Sequence, residues 1–83
     1  MSFVAYILQS EKSGRYYIGH TSDLTVRIRT HNSGKVKATR NKGPWNCVYF
    51  ETYSSKLEAN RRELEIKKKK SRKYIDYLIK TRE

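Results

Sequence analysis

The chain has 83 residues, of which 36% are hydrophobic, 33% charged and 12% aromatic, and 19 Lys and Arg stand against 8 Asp and Glu. Its apolar clusters and aromatic side chains exclude a disordered tail, and its length predicts a single domain spanning residues 1–83. The formal net charge of +11 favours nucleic acid as the partner over an anionic membrane, because no apolar run approaches the roughly 20 residues that span a bilayer.

The chain shows no sign of secretion. No short apolar segment of a signal peptide follows Met1, and the single cysteine, Cys47, excludes a disulfide within the chain. We therefore expect a cytoplasmic, nucleoid-associated protein.

The first two predicted elements are strands. The apolar run FVAYIL at residues 3–8 meets the polar segment QSEKSG, and YYIGHT follows at residues 16–21. The short connection predicts an antiparallel hairpin. If Tyr6 lies opposite Tyr17, both phenol groups project from one face. Gly19 is unusual inside a strand, where a glycine often marks close approach by another group.

A short helix is predicted over residues 24–31, with Ser22 or Asp23 as its N-cap. Arg27 and His31 are four residues apart and flank the apolar stripe of this helix. Two basic side chains are therefore expected at the edge of the core.

The segment from residue 34 to residue 44 has no periodicity and closes with Gly-Pro, which predicts a loop. We expect its four basic side chains to contact the phosphate backbone of a nucleic acid with little sequence readout. These side chains are Lys35, Lys37, Arg40 and Lys42.

Residues 45–52 form a third predicted strand, and Ser55 with Glu58 fits a capping box at the start of a second helix. Glu63 falls on the apolar face of this helix, an unusual place for a carboxylate.

The run KKKK follows at residues 67–70, and a basic C-terminal helix is predicted at about residues 71–80, packed back on the domain. Lys67 and Lys68 are further candidates for phosphate contacts, and Lys67 is also spaced to form an ion pair with Glu63.

The residues of the chain disfavour two common kinds of metal site. The acids include no Asp-x-Asp pair, and Glu63 and Glu65 point in different directions from a helix, so a site with two metals and several carboxylates is disfavoured. The two histidines lack the spacing of a zinc site. What remains is a set suited to phosphodiester chemistry, with one carboxylate for a divalent ion, an arginine for charge and phenol or imidazole groups for proton transfer. This set is Tyr6, Tyr17, His20, Arg27, His31 and Glu63.

Several of these residues lie in short motifs that together resemble the GIY-YIG nuclease domain, most closely the small stand-alone proteins related to the nuclease domain of the UvrC excinuclease subunit. The motifs are Val4-Ala5-Tyr6, Tyr17-Ile18-Gly19, Arg27 with His31, and ANRRE at residues 59–63. The resemblance covers about residues 3–68, and Val4 stands where the family name has glycine.

The resemblance implies an α/β (α+β) fold with a three-stranded antiparallel sheet flanked by helices. It also implies cleavage of DNA with Mg²⁺ or Mn²⁺, in DNA repair, recombination or processing.

The resemblance also implies roles for the site residues. Tyr17 matches the tyrosine proposed as general base, Tyr6 the tyrosine that shapes the site, and Arg27 the arginine that steadies the phosphate. Glu63 matches the metal-binding glutamate. The motif glycine, Gly19, is expected to let its strand pass close to the first helix and the bound phosphate.

The histidines complete the set that the resemblance implies. His20 follows the second motif, where relatives often carry a basic residue, and His31 matches a helical histidine. Both are expected to support proton transfer or phosphate placement.

Two alternatives stay open at this stage. One is a non-catalytic nucleic-acid-binding protein that keeps the fold and its charge. The other is a peripheral protein that places its basic C-terminal helix on anionic lipid, which would not explain the tyrosines and the glutamate. A homodimer or a targeting partner is also possible on this sequence.

Overall fold

A computed structural model describes residues 2–81. The three strands form one antiparallel sheet, in which β1 (Phe3–Ser10) is central and pairs with β2 (Tyr16–Thr21) on one side and β3 (Trp45–Tyr53) on the other. This confirms the expected α+β fold with a small antiparallel sheet. The elements in chain order are β1 (Phe3–Ser10), β2 (Tyr16–Thr21), α1 (Leu24–Asn32), β3 (Trp45–Tyr53), α2 (Lys56–Lys69) and α3 (Arg72–Thr81).

The register of the hairpin differs from the expected pairing. Tyr6 lies opposite Gly19, and Tyr17 lies opposite Leu8, so the pairing of Tyr6 with Tyr17 is wrong by two residues. The β1–β2 turn sets this register, because the Ser10 N–H donates to the Arg15 carbonyl at 2.9 Å. Since side chains alternate with period two, a shift of two residues still leaves both phenol groups on the same face.

The two faces of the sheet carry separate apolar clusters. On one face, α1 packs its apolar stripe against β1 and β3, as the helical spacing predicts. The buried residues here are Tyr6, Leu8 and Trp45, and the partly buried Leu24 and Ile28 of α1 pack against them. On the other face, α2 and α3 cover the sheet through Ile7, Tyr49, Ile66, Ile75 and Leu78.

Side-chain caps fix where α1 and α2 begin. The Asp23 carboxylate accepts a hydrogen bond from the Val26 N–H at 3.1 Å, and the Ser55 hydroxyl oxygen accepts one from the Glu58 N–H at 3.2 Å. These bonds satisfy backbone donors that have no partner within the first helical turn. The caps start both helices at the same end of the sheet, close to the end of β2 and the start of β1.

None of the helices within residues 2–81 combines the length and the apolar character needed to cross a bilayer.

Candidate active site

A cleft of about 380 Å³ lies at the end of the sheet where β1 begins and β2 ends. The first residues of α1 and α2 border it, so four elements meet there. The lining side chains are Phe3, His20, Thr21, Ser22, Arg27 and Lys56. Two residues expected from the sequence, His20 and Arg27, therefore line one cleft, and Lys56 joins them without any sequence signal that pointed to it.

Behind this cleft, Tyr6 is held between two residues of α1. Its hydroxyl lies 3.0 Å from His31 Nε2, and Arg27 Nε donates to the same oxygen at 3.4 Å. Tyr6 and His31 are each only 1% exposed. Burial raises the pKa of Tyr6 by more than Arg27 lowers it, so this phenol stays protonated at neutral pH.

One assignment of the donors gives every group in this network a partner. Arg27 can only donate, so the Tyr6 oxygen accepts from it, and in this assignment the phenol proton points to His31 Nε2. His31 then carries its proton on Nδ1 and donates to Thr39 Oγ1 at 2.8 Å, while the Thr39 hydroxyl lies 3.4 Å from the Val36 carbonyl that accepts from it. Burial and the positive charge of Arg27 lower the pKa of His31, which agrees with a neutral ring.

Thr39 lies in the loop between α1 and β3, and sequence reasoning missed it. It is 1% exposed, and its carbonyl accepts a hydrogen bond from Trp45 Nε1 at 3.1 Å. The loop thus reaches into the core at one residue, although its sequence has no periodicity. No pattern around Thr39 distinguishes it from the exposed loop residues beside it.

Gly19 explains how Tyr6 is accommodated. A Cβ atom at Gly19 would lie 2.5 Å from the Tyr6 hydroxyl oxygen, which is an overlap. The close approach at this glycine is thus to Tyr6, and the expected approach of the strand to α1 and a bound phosphate stays a prediction. The close neighbour of Gly19 is the phenol group of its own cross-strand partner.

Tyr17 differs from Tyr6 in what its hydroxyl does. The Tyr17 ring packs edge-on against the rings of His31 and Trp45, with centroid distances of 4.8 Å and 6.3 Å. The ring is half-buried, and within residues 2–81 its hydroxyl makes no hydrogen bond. Of the two motif tyrosines, Tyr17 is thus the one whose hydroxyl remains available to contact a bound water.

Glu63 lies on the sheet-facing side of α2, as its position among apolar residues predicts. Its Oε1 accepts from His20 Nδ1 at 2.6 Å, and its Oε2 accepts from the Lys67 ammonium group. Burial raises the pKa of Glu63, but the hydrogen bonds from His20 and Lys67 outweigh it and leave the pKa below its ordinary value. The site therefore holds an ionised, 12% exposed carboxylate.

Arg27 connects the two halves of the site. Its pKa is raised, first by the hydrogen bond to Tyr6, against the lowering effect of burial, and also by the charges that Tyr6, Tyr17 and Glu63 can carry. It therefore lies within electrostatic reach of groups on β1, β2 and α2. Direct contacts join Tyr6, Tyr17, Arg27 and His31 in one group and His20 with Glu63 in another, and the two groups meet where Arg27 and His20 line the cleft.

The chemistry of Glu63 fits one hard cation. Mg²⁺ keeps several waters and takes one or two protein carboxylates together with substrate oxygens, so one ionised glutamate beside an open cleft is a suitable ligand. Across residues 2–81, no three His, Cys, Asp or Glu side chains are grouped to hold an ion. A cation at Glu63 would take the place of the Lys67 ammonium group or the His20 N–H.

The residues expected to contact phosphate separate into two places. Lys67 and Lys68 are exposed near the end of α2, and Lys67 reaches the site through Glu63. The loop residues are also exposed, but their loop leads into β3 beside the end of β1, at the opposite end of the sheet from the cleft. These are Lys35, Lys37, Arg40 and Lys42.

Comparison with known proteins identifies the family to which this chain belongs. The family model of the GIY-YIG catalytic domain matches residues 2–75, so the chain belongs to the GIY-YIG family and has its nuclease fold.

Within that family, the chain is similar to small stand-alone UPF0213 proteins. One from Halalkalibacterium halodurans is 43% identical over 74 residues, which cover 88% of this chain and 78% of the relative. Another, from Staphylococcus haemolyticus, is 49% identical over 57 residues, or 68% of this chain and 70% of the relative. The solution NMR structure of a UPF0213 protein from Bacillus halodurans superimposes with a TM-score of 0.61 at 38% identity, covering 99% of this chain and 86% of that one.

Proposed function

We propose that this protein is a metal-dependent endonuclease that hydrolyses phosphodiester bonds of DNA. The observation that carries the proposal is the position of Arg27, which hydrogen bonds to Tyr6 and lies within electrostatic reach of Tyr17 and Glu63. One cation at an open cleft is thus within electrostatic reach of a candidate proton acceptor and a candidate metal-binding carboxylate. Hydrolysis of a phosphodiester needs these groups together.

Arg27 is prepared to bind the phosphate. Its Nε is held by the buried Tyr6, and within the described residues its terminal Nη groups make no hydrogen bond. The guanidinium plane is therefore fixed, while its outer donors remain for phosphate oxygens. His31 and Thr39 act through Tyr6 as positioning residues, because neither is exposed to the cleft.

Tyr17 takes the proton from the attacking water, since its hydroxyl has no competing hydrogen bond in the described chain. This step requires the side chain of Tyr17 as a phenolate. Glu63 would hold Mg²⁺ or Mn²⁺, kept in place by its hydrogen bond from His20. When bound, the ion would neutralise charge that develops on the phosphate.

We place the reaction in DNA repair, recombination or processing, in the cytoplasm. The net charge of +11 supports a DNA partner, because it attracts the phosphate backbone irrespective of sequence.

One observation favours a second candidate, a nucleic-acid-binding protein without catalysis. Both oxygens of Glu63 are already occupied, by His20 and Lys67, as they would be in a purely structural ion pair. In that case the GIY-YIG site would serve only to hold the fold and present its charge.

Cleavage of labelled single-stranded, duplex and branched DNA with Mg²⁺, Mn²⁺ or EDTA separates the two candidates. Glu63→Gln keeps the shape of the side chain but loses its charge, and Glu65→Gln makes the same change at an exposed position two residues away. A nuclease loses metal-dependent cleavage in Glu63→Gln, retains it in Glu65→Gln, and binds DNA in both variants.

Equal cleavage by wild type and Glu63→Gln would overturn the assignment of the metal ligand. Binding without cleavage by all three proteins, purified in parallel, would instead establish the non-catalytic protein.

A further inference from the structure

A groove remote from the cleft lies between the β1–β2 turn and the loop that precedes β3. Its volume is about 510 Å³, and we call it the turn groove. Its lining side chains are Lys12, Ser13, Arg15, Asn41 and Lys42. Three of these five carry positive charge, and two of the cations, Lys12 and Arg15, come from a turn that has no part in the chemistry of the cleft.

The turn groove is assembled before any ligand binds. Ser10, only 2% exposed, accepts hydrogen bonds from the N–H groups of Lys12 and Ser13 at 3.1 Å each, and its hydroxyl donates to the Lys42 carbonyl at 2.6 Å. One buried side chain thus ties the turn to the loop. The backbone positions of the cations are held relative to one another, so binding pays little ordering cost for the backbone.

The positive charge of the turn groove is not neutralised within the described part of the chain. Lys12, Arg15 and Lys42 form no salt bridge with any residue from 2 to 81. The adjacent acid, Glu11, accepts a hydrogen bond from Asn46 at 2.7 Å instead. Such a concentration of unpaired cations attracts an anionic partner.

The cations continue from the turn groove towards the candidate metal ligand. Arg15 also lines a neighbouring groove of about 290 Å³ between β2 and the junction of α2 with α3, where Lys67, Lys70 and Arg72 follow. Lys67 in turn contacts Glu63. A continuous basic path suits a polyanion with repeated phosphates better than a single small anion.

We propose that the turn groove binds the phosphate backbone of the same DNA whose scissile phosphate lies in the cleft. This rests on the proposed function. β2 separates the two sites, and five steps of about 3.3 Å from Tyr16 to Thr21 place them roughly 17 Å apart. That distance corresponds to about five base pairs at 3.4 Å each, so efficient substrates extend at least that far beyond the cut.

Binding tests the groove without requiring cleavage. The Lys12→Ala/Arg15→Ala variant is compared with Lys73→Ala/Lys80→Ala, which removes the same charge from exposed positions on α3. Fluorescence anisotropy in EDTA gives the Kd for a 30-base-pair duplex at several salt concentrations. We expect the turn variant to lower the log–log salt slope by about 1.8, at about 0.9 for each lost phosphate contact, and the α3 variant to leave it nearly unchanged.

Equal slopes in the two variants would overturn the proposal, because the loss would then reflect net charge alone. Unchanged thermal melting of both variants shows that each is folded. If the turn variant loses slope but wild type cuts no DNA, the groove stands as a DNA-binding site and the proposed nuclease activity fails.

Cleavage of duplexes with flanks of 3 or 12 base pairs on each side of the cut tests the spacing. Wild type should cut the long duplex at least tenfold more efficiently than the short one in kcat/KM, and the turn variant should lose most of that difference. An identical length dependence in both proteins would place the backbone contact elsewhere.

Discussion

The backbone of Gly19 passes so close to the phenol ring of Tyr6 that no side chain fits between them. A Cβ on Gly19 would lie 2.5 Å from the Tyr6 hydroxyl oxygen and 2.7 Å from Cζ, while the glycine itself has no left-handed backbone that would require it. The constraint is one of space. Gly19, the glycine of the second motif, is therefore required because it leaves room for the ring of Tyr6, the tyrosine of the first motif.

Gly19→Ala should destabilise the protein by about 1–3 kcal/mol, the usual cost of forcing an extra methyl group into a packed site. It should also reduce cleavage, because Tyr6 must move away from Arg27 and His31. Urea unfolding measures the loss of stability. In a Tyr6→Leu background, which removes the overlapping ring atoms, the same substitution should cost less than half as much; additive costs in both backgrounds would exclude Tyr6 as the obstacle.

Thr39→Val tests the direction of the hydrogen bonds behind the cleft. Valine keeps the shape of threonine but cannot accept from His31 Nδ1, so a buried N–H loses its partner at a cost of about 1–3 kcal/mol. The His31 proton should then shift partly to Nε2, where it competes with the Tyr6 O–H. The ¹⁵N chemical shifts of the ring report this tautomer.

The matched control is Thr39→Ser, which retains the hydroxyl and should retain both the wild-type shifts and most of the cleavage rate. Wild-type nitrogen shifts in Thr39→Val would show that Thr39 does not set the tautomer.

The sequence predicts the elements of this fold well because their signals are local. Apolar runs give the strands, and Asp23 and Ser55 give the starts of the helices. The register of the hairpin was not predictable in the same way. It depends on how the β1–β2 turn closes between Ser10 and Arg15, and several closures suit a polar segment of that composition.

In the candidate site, too, local features were predictable from the sequence and long-range contacts were not. The helical spacing places Glu63 on the apolar side of α2, but its contact with His20 joins residues 43 positions apart and depends on how α2 packs against β2. Thr39 lies only eight residues from His31, yet an aperiodic loop gives no sign of which residue turns inward. Long-range packing decides both contacts, and local periodicity does not encode it.

His31 should make stability depend on pH below about 6.5. Burial and the charge of Arg27 lower its pKa from the ordinary value of about 6.5, so below that value the unfolded chain binds a proton that the native ring does not. The stabilisation is therefore fully present above about pH 6.5 and is lost as the pH falls below it. Urea midpoints of wild type should fall over this range, and those of His31→Gln should fall much less. A parallel fall in both proteins would assign the effect to other groups.

If Glu63 holds the metal ion, Lys67 competes with that ion for the carboxylate, so Lys67→Gln should tighten metal binding. Partly exposed ion pairs of this kind contribute about 0.2–1 kcal/mol, which corresponds to a Kd for Mn²⁺ lower by up to about fivefold when the competing ammonium group is removed. Calorimetric titration of Mn²⁺ without DNA measures it. Lys68→Gln makes the same charge change at the next residue, which has no contact with Glu63 among the described residues, and should leave the Kd near that of wild type.

The same pair of variants separates two roles of Lys67 in cleavage. If Lys67 also contacts phosphate, Lys67→Gln should need less Mn²⁺ for half-maximal cleavage but more DNA, because the ammonium group that leaves Glu63 would otherwise bind the substrate backbone. A lower Mn²⁺ requirement with an unchanged KM for DNA would limit Lys67 to holding Glu63 in the metal-free protein. An unchanged Mn²⁺ requirement in Lys67→Gln would contradict the competition itself, and with it the assignment of Glu63 as the residue that holds the ion.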